Sequence, residues 1–127
     1  MEYHTQRPEE IRERFMFKIK PAVNLYLSTN TVCNLHCKSC PRGRGESELG
    51  GMMSMAMIER ILEKATQEAR VITVQLYRYN EPFLIPHIDG MVAACHRYGI
   101  PVLLSTNLSS RAAWENVPKT LAQKPET

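Results

Sequence analysis

The chain predicts an α/β fold in which parallel strands alternate with helices in the order strand, helix, strand, helix, strand, helix. Two observations carry that expectation. Three runs rich in aliphatic and β-branched residues, VNLYLST, VITVQLY and IPVLLST, are each followed by a stretch with apolar residues at helical spacing. The stretches between strands are long enough for right-handed crossovers, which make neighbouring strands parallel. A three-layer sandwich and part of a barrel both satisfy this order. In either, ligands gather at the carboxyl ends of the strands, where the loops CNLHCKSC, RYNEP and TNLSS fall.

The elements follow in turn. A short helix is expected from Pro8 to about Lys18: Pro8 suits the first helical position, Glu9 and Glu10 favour the positive end of the dipole, and Ile11 and Phe15 share a face before Pro21 ends it. Val23 to Thr29 alternate as a strand, and residues 41 to 51, PRGRGESELGG, form a long loop because four glycines and a proline exclude regular structure. Ser54 caps a helix to about Ala69, with Met57, Ile58, Ile61, Leu62 and Ala65 on its apolar face. Residues 71 to 77 read as a strand covered on both sides. A helix from about Ile85 to Tyr98 is stopped by Gly99, residues 100 to 106 form a third buried strand, and Arg111 to Gln123 form a last helix. Two segments result: an N-terminal helical extension over 1–21 and a core of three strand–helix units over 22–127.

Composition narrows the function classes. Hydrophobic residues make up 43% and charged residues 23%, which points away from disorder. No apolar run approaches the roughly 20 residues of a membrane-spanning helix, so no membrane association is expected. The opening residues MEYHTQRPEEIRERF carry early acids and no apolar leader, and the expected location is the cytoplasm. The net charge of +3 is scattered among acids, and nucleic-acid binding is not indicated.

The cysteines carry the chemistry. Cys33, Cys37 and Cys40 stand as C-x3-C-x2-C, poor spacing for a disulfide framework and apt for three thiolates around one inorganic centre. An iron-sulfur cluster accepts three protein thiolates and keeps one iron open, whereas structural zinc needs a fourth ligand such as His36 or His4. Both remain open at this level. Cys95 falls on the apolar face of a helix and reads as core filling.

The whole stretch TNTVCNLHCKSCP, with Asn30 before the cysteines and Pro41 after them, resembles the signature of the radical S-adenosylmethionine (radical SAM) enzymes. Tyr79-Asn80-Glu81-Pro82 is similar to that family's Gly-Gly-Glu-Pro-like segment at the end of the second strand. Ser105-Thr106-Asn107-Leu108 is similar to its Thr-Asn-Gly at the end of the third. The likeness covers roughly residues 22 to 125 and is nearest to members with a C-terminal SPASM-type extension.

The resemblance implies half of a partial TIM-type (β/α)6 barrel, a 4Fe-4S cluster on Cys33, Cys37 and Cys40, and S-adenosylmethionine (SAM) chelating the open iron. Its implied reaction is reductive cleavage of SAM to methionine and a 5'-deoxyadenosyl radical, with a reductant such as flavodoxin or ferredoxin and a small-molecule or peptide substrate. It places Asn80, Glu81, Ser105, Thr106 and Asn107 at the cofactor, with the Glu81 carboxylate toward the SAM ammonium. The plain alternative for Glu81 is an acid opening a helix after a turn. Asn80 stands where the family has glycine, and Ser39 where many relatives have an aromatic residue. No residue is assigned a catalytic role of its own.

With three of the family's usual six strands, the chain is expected to be incomplete alone or to need a complementary half-barrel or a second copy of itself. The other class of function is a catalytically inactive zinc- or cluster-binding module that scaffolds a partner.

Overall fold

The structure, a computed structural model, describes residues 20–46 and 50–123. The helix expected over residues 8 to 18 lies outside them. Within them the chain runs β1 (Ala22–Tyr26), α1 (Met55–Glu68), β2 (Arg70–Gln75), a short 3-10 turn (Pro82–Leu84), α2 (Ile88–Arg97), β3 (Val102–Leu103) and α3 (Arg111–Leu121). The strands form one sheet in the order β1-β2-β3, parallel at both pairings, so the expected α/β order holds.

Local chemistry sets the helix ends. The Ser54 side chain accepts from the Met57 amide at 3.2 Å and opens α1, and Ser110 does the same for α3 through the Ala113 amide at 3.1 Å. Gly99 closes α2 with φ of +68°, a backbone that L side chains rarely adopt. It turns the chain so that the Ile100 amide returns to the Cys95 carbonyl at 3.1 Å.

The sheet has two unlike faces. Leu25, Val74 and Val102 lie in one row across it and pack with Leu62, Met91 and Cys95 of the helices. The next row, Tyr26, Gln75 and Leu103, faces the other way, with Tyr26 60% exposed. The expectation that the second strand is covered on both sides is therefore corrected: among the described residues the helices cover one face. The reason is topological, because right-handed crossovers between strands laid down in simple sequence all fall on the same side. Ile72 is an extra residue on β2, where Val23 pairs with Val71 but Asn24 pairs with Thr73, and this bulge keeps Val71 and Val74 on the core face.

The strands are shorter than the sequence suggests. The expected strand over 100 to 106 is reduced to Val102–Leu103, because the chain beyond turns toward the loop that follows β2. The helix expected from Ile85 begins at Ile88, after the 3-10 turn. α3 docks on that turn through Asn116, whose buried amide donates to the Phe83 carbonyl at 2.8 Å.

Candidate functional site

At the carboxyl end of the sheet the three unusual loops meet in a cleft of about 240 Å³. Cys33, Cys37 and Cys40 line one side of it, and Asn80, Glu81, Ser105, Thr106 and Asn107 belong to the same lining, together with Leu35 and Tyr77 to Tyr79. The eight residues expected at the metal or at the cofactor are thus brought to one place. A larger hollow of about 500 Å³ lies against the outer side of α1, along Met57, Arg60 and Lys64, but its described lining carries neither a thiol nor a residue of the strand-end loops. Convergent chemistry, not size, selects the cleft.

The cysteine loop curls tightly on itself. The Cys40 amide donates to the Cys37 carbonyl at 3.0 Å, the Arg44 amide to the Cys40 carbonyl at 3.1 Å and the Gly45 amide to the Arg42 carbonyl at 3.0 Å. Gly43 permits this: a Cβ there would stand 2.0 Å from the Cys37 carbonyl oxygen. Arg44 braces the curl from outside, donating to the Ser39 carbonyl at 3.1 Å and pairing through two nitrogens with Glu46 at 2.6 and 2.7 Å. That pairing raises the Arg44 guanidinium above its ordinary value and lowers the Glu46 carboxyl. Arg42 reaches inward instead. It donates to the Thr31 carbonyl, and its Nε is buried without a hydrogen-bond partner among the described residues.

The polar part of the lining is organised around one buried carboxylate. Glu81, 1% exposed, accepts from the Phe83 amide at 3.1 Å and the Thr106 hydroxyl at 2.6 Å on Oε1, and from the Asn107 amide at 2.8 Å on Oε2. It caps the 3-10 turn, as the plain alternative from the sequence has it, and it also binds the loop after β3. Its backbone joins the cysteine segment, since its amide donates to the Val32 carbonyl at 2.9 Å and its carbonyl accepts from Asn30 Nδ2 at 3.5 Å. Asn80 donates to the Thr29 hydroxyl at 3.4 Å, which in turn donates to the Leu76 carbonyl at 3.3 Å. Ser105 is exposed at the cleft rim.

A side-chain network then joins this part of the lining to the cysteine loop. Asn107 Nδ2 donates to Asn34 Oδ1 at 3.1 Å and to Cys33 Sγ at 3.8 Å, and Asn34 Nδ2 donates to the Ser109 hydroxyl at 2.8 Å. The Leu35 amide is a second donor to Cys33 Sγ, at 3.5 Å. Sequence reasoning missed Asn34, Thr29 and Ser109. The available signal was the density of short polar side chains beside the cysteines and after β3, where such groups bond to neighbouring backbone.

The donor set bears on the centre it can hold. Cys33, Cys37 and Cys40 are free thiols, while among the described residues no three His, Cys, Asp or Glu side chains stand close enough to form a ready-made metal site. Three thiols on one cleft, with two N–H donors directed at the Cys33 sulfur, are a donor set that an iron-sulfur cluster accepts. Among the described residues no helix is long and apolar enough to cross a membrane.

No protein-family model and no curated protein matches the chain. Among solved structures, BtrN in complex with AdoMet and 2-DOIA matches 83% of this chain and 43% of its own, with a TM-score of 0.69 and 18% sequence identity. Selenomethionine BtrN in an open conformation matches 79% of this chain and 45% of its own, with a TM-score of 0.63 and 18% identity. The chain therefore spans less than half the length of either chain. At that identity the likeness is one of fold, and the three parallel strands with their three helices correspond to part of a larger α/β domain.

Proposed function

We propose that this chain is a radical SAM iron-sulfur protein that holds a 4Fe-4S cluster on Cys33, Cys37 and Cys40 and binds SAM against the ends of β2 and β3. The observation that carries the reading is the convergence of three thiols and the two strand-end segments on one cleft. The signature-like spacing of the cysteines and the fold shared with a protein solved in complex with AdoMet support it. When bound, such a cluster supplies the electron for reductive cleavage of SAM to methionine and a 5'-deoxyadenosyl radical.

The residues of the chain have the remaining tasks. The three thiolates ligate from one side of the cleft and leave the other side for the sulfonium ligand. Asn80, Ser105, Thr106 and Asn107 present amide and hydroxyl groups to SAM, and Glu81 lies behind them. The Leu35 amide and the Asn107 side chain direct N–H groups at the Cys33 sulfur, where they stabilise negative charge. The electron donor is of the flavodoxin or ferredoxin type, and the substrate a small molecule or peptide.

Anaerobic reconstitution with iron and sulfide is the test. A brown protein carrying labile sulfide, which releases 5'-deoxyadenosine when SAM and a strong reductant are added, is the expected result. A colourless protein with stoichiometric zinc and no labile sulfide overturns the reading in favour of a zinc-binding module.

A further inference from the structure

We infer that Glu81 is a positioning residue: its buried carboxylate clasps the ends of β2 and β3 together and, through Asn107, holds an amide donor on the Cys33 sulfur. The inference rests on the iron-sulfur reading for its consequence, while the clasp itself stands on geometry alone.

Three donors from two segments are collected by one side chain. Oε1 takes the Phe83 amide and the Thr106 hydroxyl, and Oε2 takes the Asn107 amide. Although Glu81 borders the cleft, it is 1% exposed, and these protein donors take up most of its accepting capacity. A carboxylate suits such a clasp because it only accepts, at two oxygens. Glutamine in its place has one oxygen and an NH2 group that would confront either the Asn107 amide or the pair formed by Thr106 and Phe83.

The effect on Cys33 follows from how Asn107 is held. Oε2 fixes its backbone amide at 2.8 Å, and Leu108 next to it takes φ of +51°, which swings the chain back over the Asn107 side chain. Asn107 Oδ1 then accepts from the Ser109 amide at 2.9 Å and the Ser109 hydroxyl at 2.8 Å. With its oxygen so engaged, the side chain turns Nδ2 toward Asn34 Oδ1 and Cys33 Sγ. An N–H aimed at a ligating sulfur favours the more negative, reduced state of a cluster and raises its reduction potential. Loss of the clasp releases Asn107 and lowers that potential.

The test compares the full chain with Glu81→Gln, Asn107→Ala and the double variant. In the metal-free proteins, amide hydrogen exchange is read at Phe83 and Asn107, where E81Q is expected to speed exchange by about tenfold or more while leaving the core of α2 protected. In the reconstituted proteins, EPR-monitored redox titration is expected to shift to more negative potential in E81Q and in N107A, with no further shift in the double variant. Unchanged exchange at Asn107 in E81Q overturns the clasp. Faster exchange with an unmoved potential, or additive shifts in the double variant, overturns the link to Cys33. Should E81Q not fold, Glu81→Asp draws the carboxylate back by one methylene, and unchanged exchange at Phe83 and Asn107 in that variant overturns the clasp. If the unaltered chain forms no cluster, the iron-sulfur reading fails and the exchange data still decide the clasp.

Discussion

The four cysteines occupy two regions that make opposite use of one side chain. Cys95 sits on the inner face of α2, fully buried among core residues, and burial pushes its thiol up to about 11. Cys33, Cys37 and Cys40 lie on a loop beyond the carboxyl end of β1, half-buried or exposed, and share a cleft with polar groups from two other loops. A thiol surrounded by hydrocarbon keeps its proton and behaves as a small apolar group. A thiol at the mouth of a parallel sheet has donors at hand and room for a ligand. Position in the fold, rather than residue type, separates filler from chemistry.

The largest effect that would sharpen this contrast is expected at Gly43. Gly43→Ala drives a methyl group into the Cys37 carbonyl, so the loop opens and, if the proposed cluster is held there, most iron is lost on reconstitution, while Cys95→Ala keeps it. Iron and sulfide analysis of the two variants, with far-UV circular dichroism to show the fold retained, checks it. Equal iron content in both would erase the distinction between the regions.

A smaller effect is expected from alkali. The Cys95 thiol holds its proton to about 11 in the folded chain but only to the ordinary 9.0 when unfolded. Between those values the unfolded chain binds fewer protons, so stability falls as pH rises. The contribution is complete below pH 9 and lost progressively up to pH 11, by about 2–3 kcal/mol. Urea denaturation across this range should show the decline, and Cys95→Ala should flatten it. A decline of the same depth in that variant would assign the alkaline limb elsewhere.

The smallest effect belongs to neither region. Ser54→Ala removes the cap of α1 and should lower stability by about 1 kcal/mol, read from the denaturation midpoint, without changing iron content. A simultaneous loss of iron would show that the cysteine loop depends on the helix that follows it.

Much of the molecule is legible because its signals are local. The apolar spacing of Ile58 with Leu62, and of Ile88 with Met91, Val92 and Cys95, announces the helices. Ser54 and Gly99 mark two of their ends with side-chain and backbone chemistry that acts over a few residues. The cysteine triplet is equally local. Other features depend on partners far along the chain. β3 stops at Leu103 because Thr106 and Asn107 are drawn to Glu81, and α3 seats where Asn116 meets the Phe83 carbonyl. Hydrogen bonds between residues so far apart in sequence leave no periodic trace.

By itself, then, the amino-acid order determined the alternation of strands and helices, their parallel sense, and the candidate thiol donors, since backbone sterics, apolar periodicity and ligand spacing operate between near neighbours. Tertiary structure alone decided that the helices share one face of the sheet, that Ile72 is an extra residue, and that Glu81 faces three protein donors. The physical reason is that burial and the satisfaction of polar groups are properties of the packed chain, settled only when distant segments exclude water from one another.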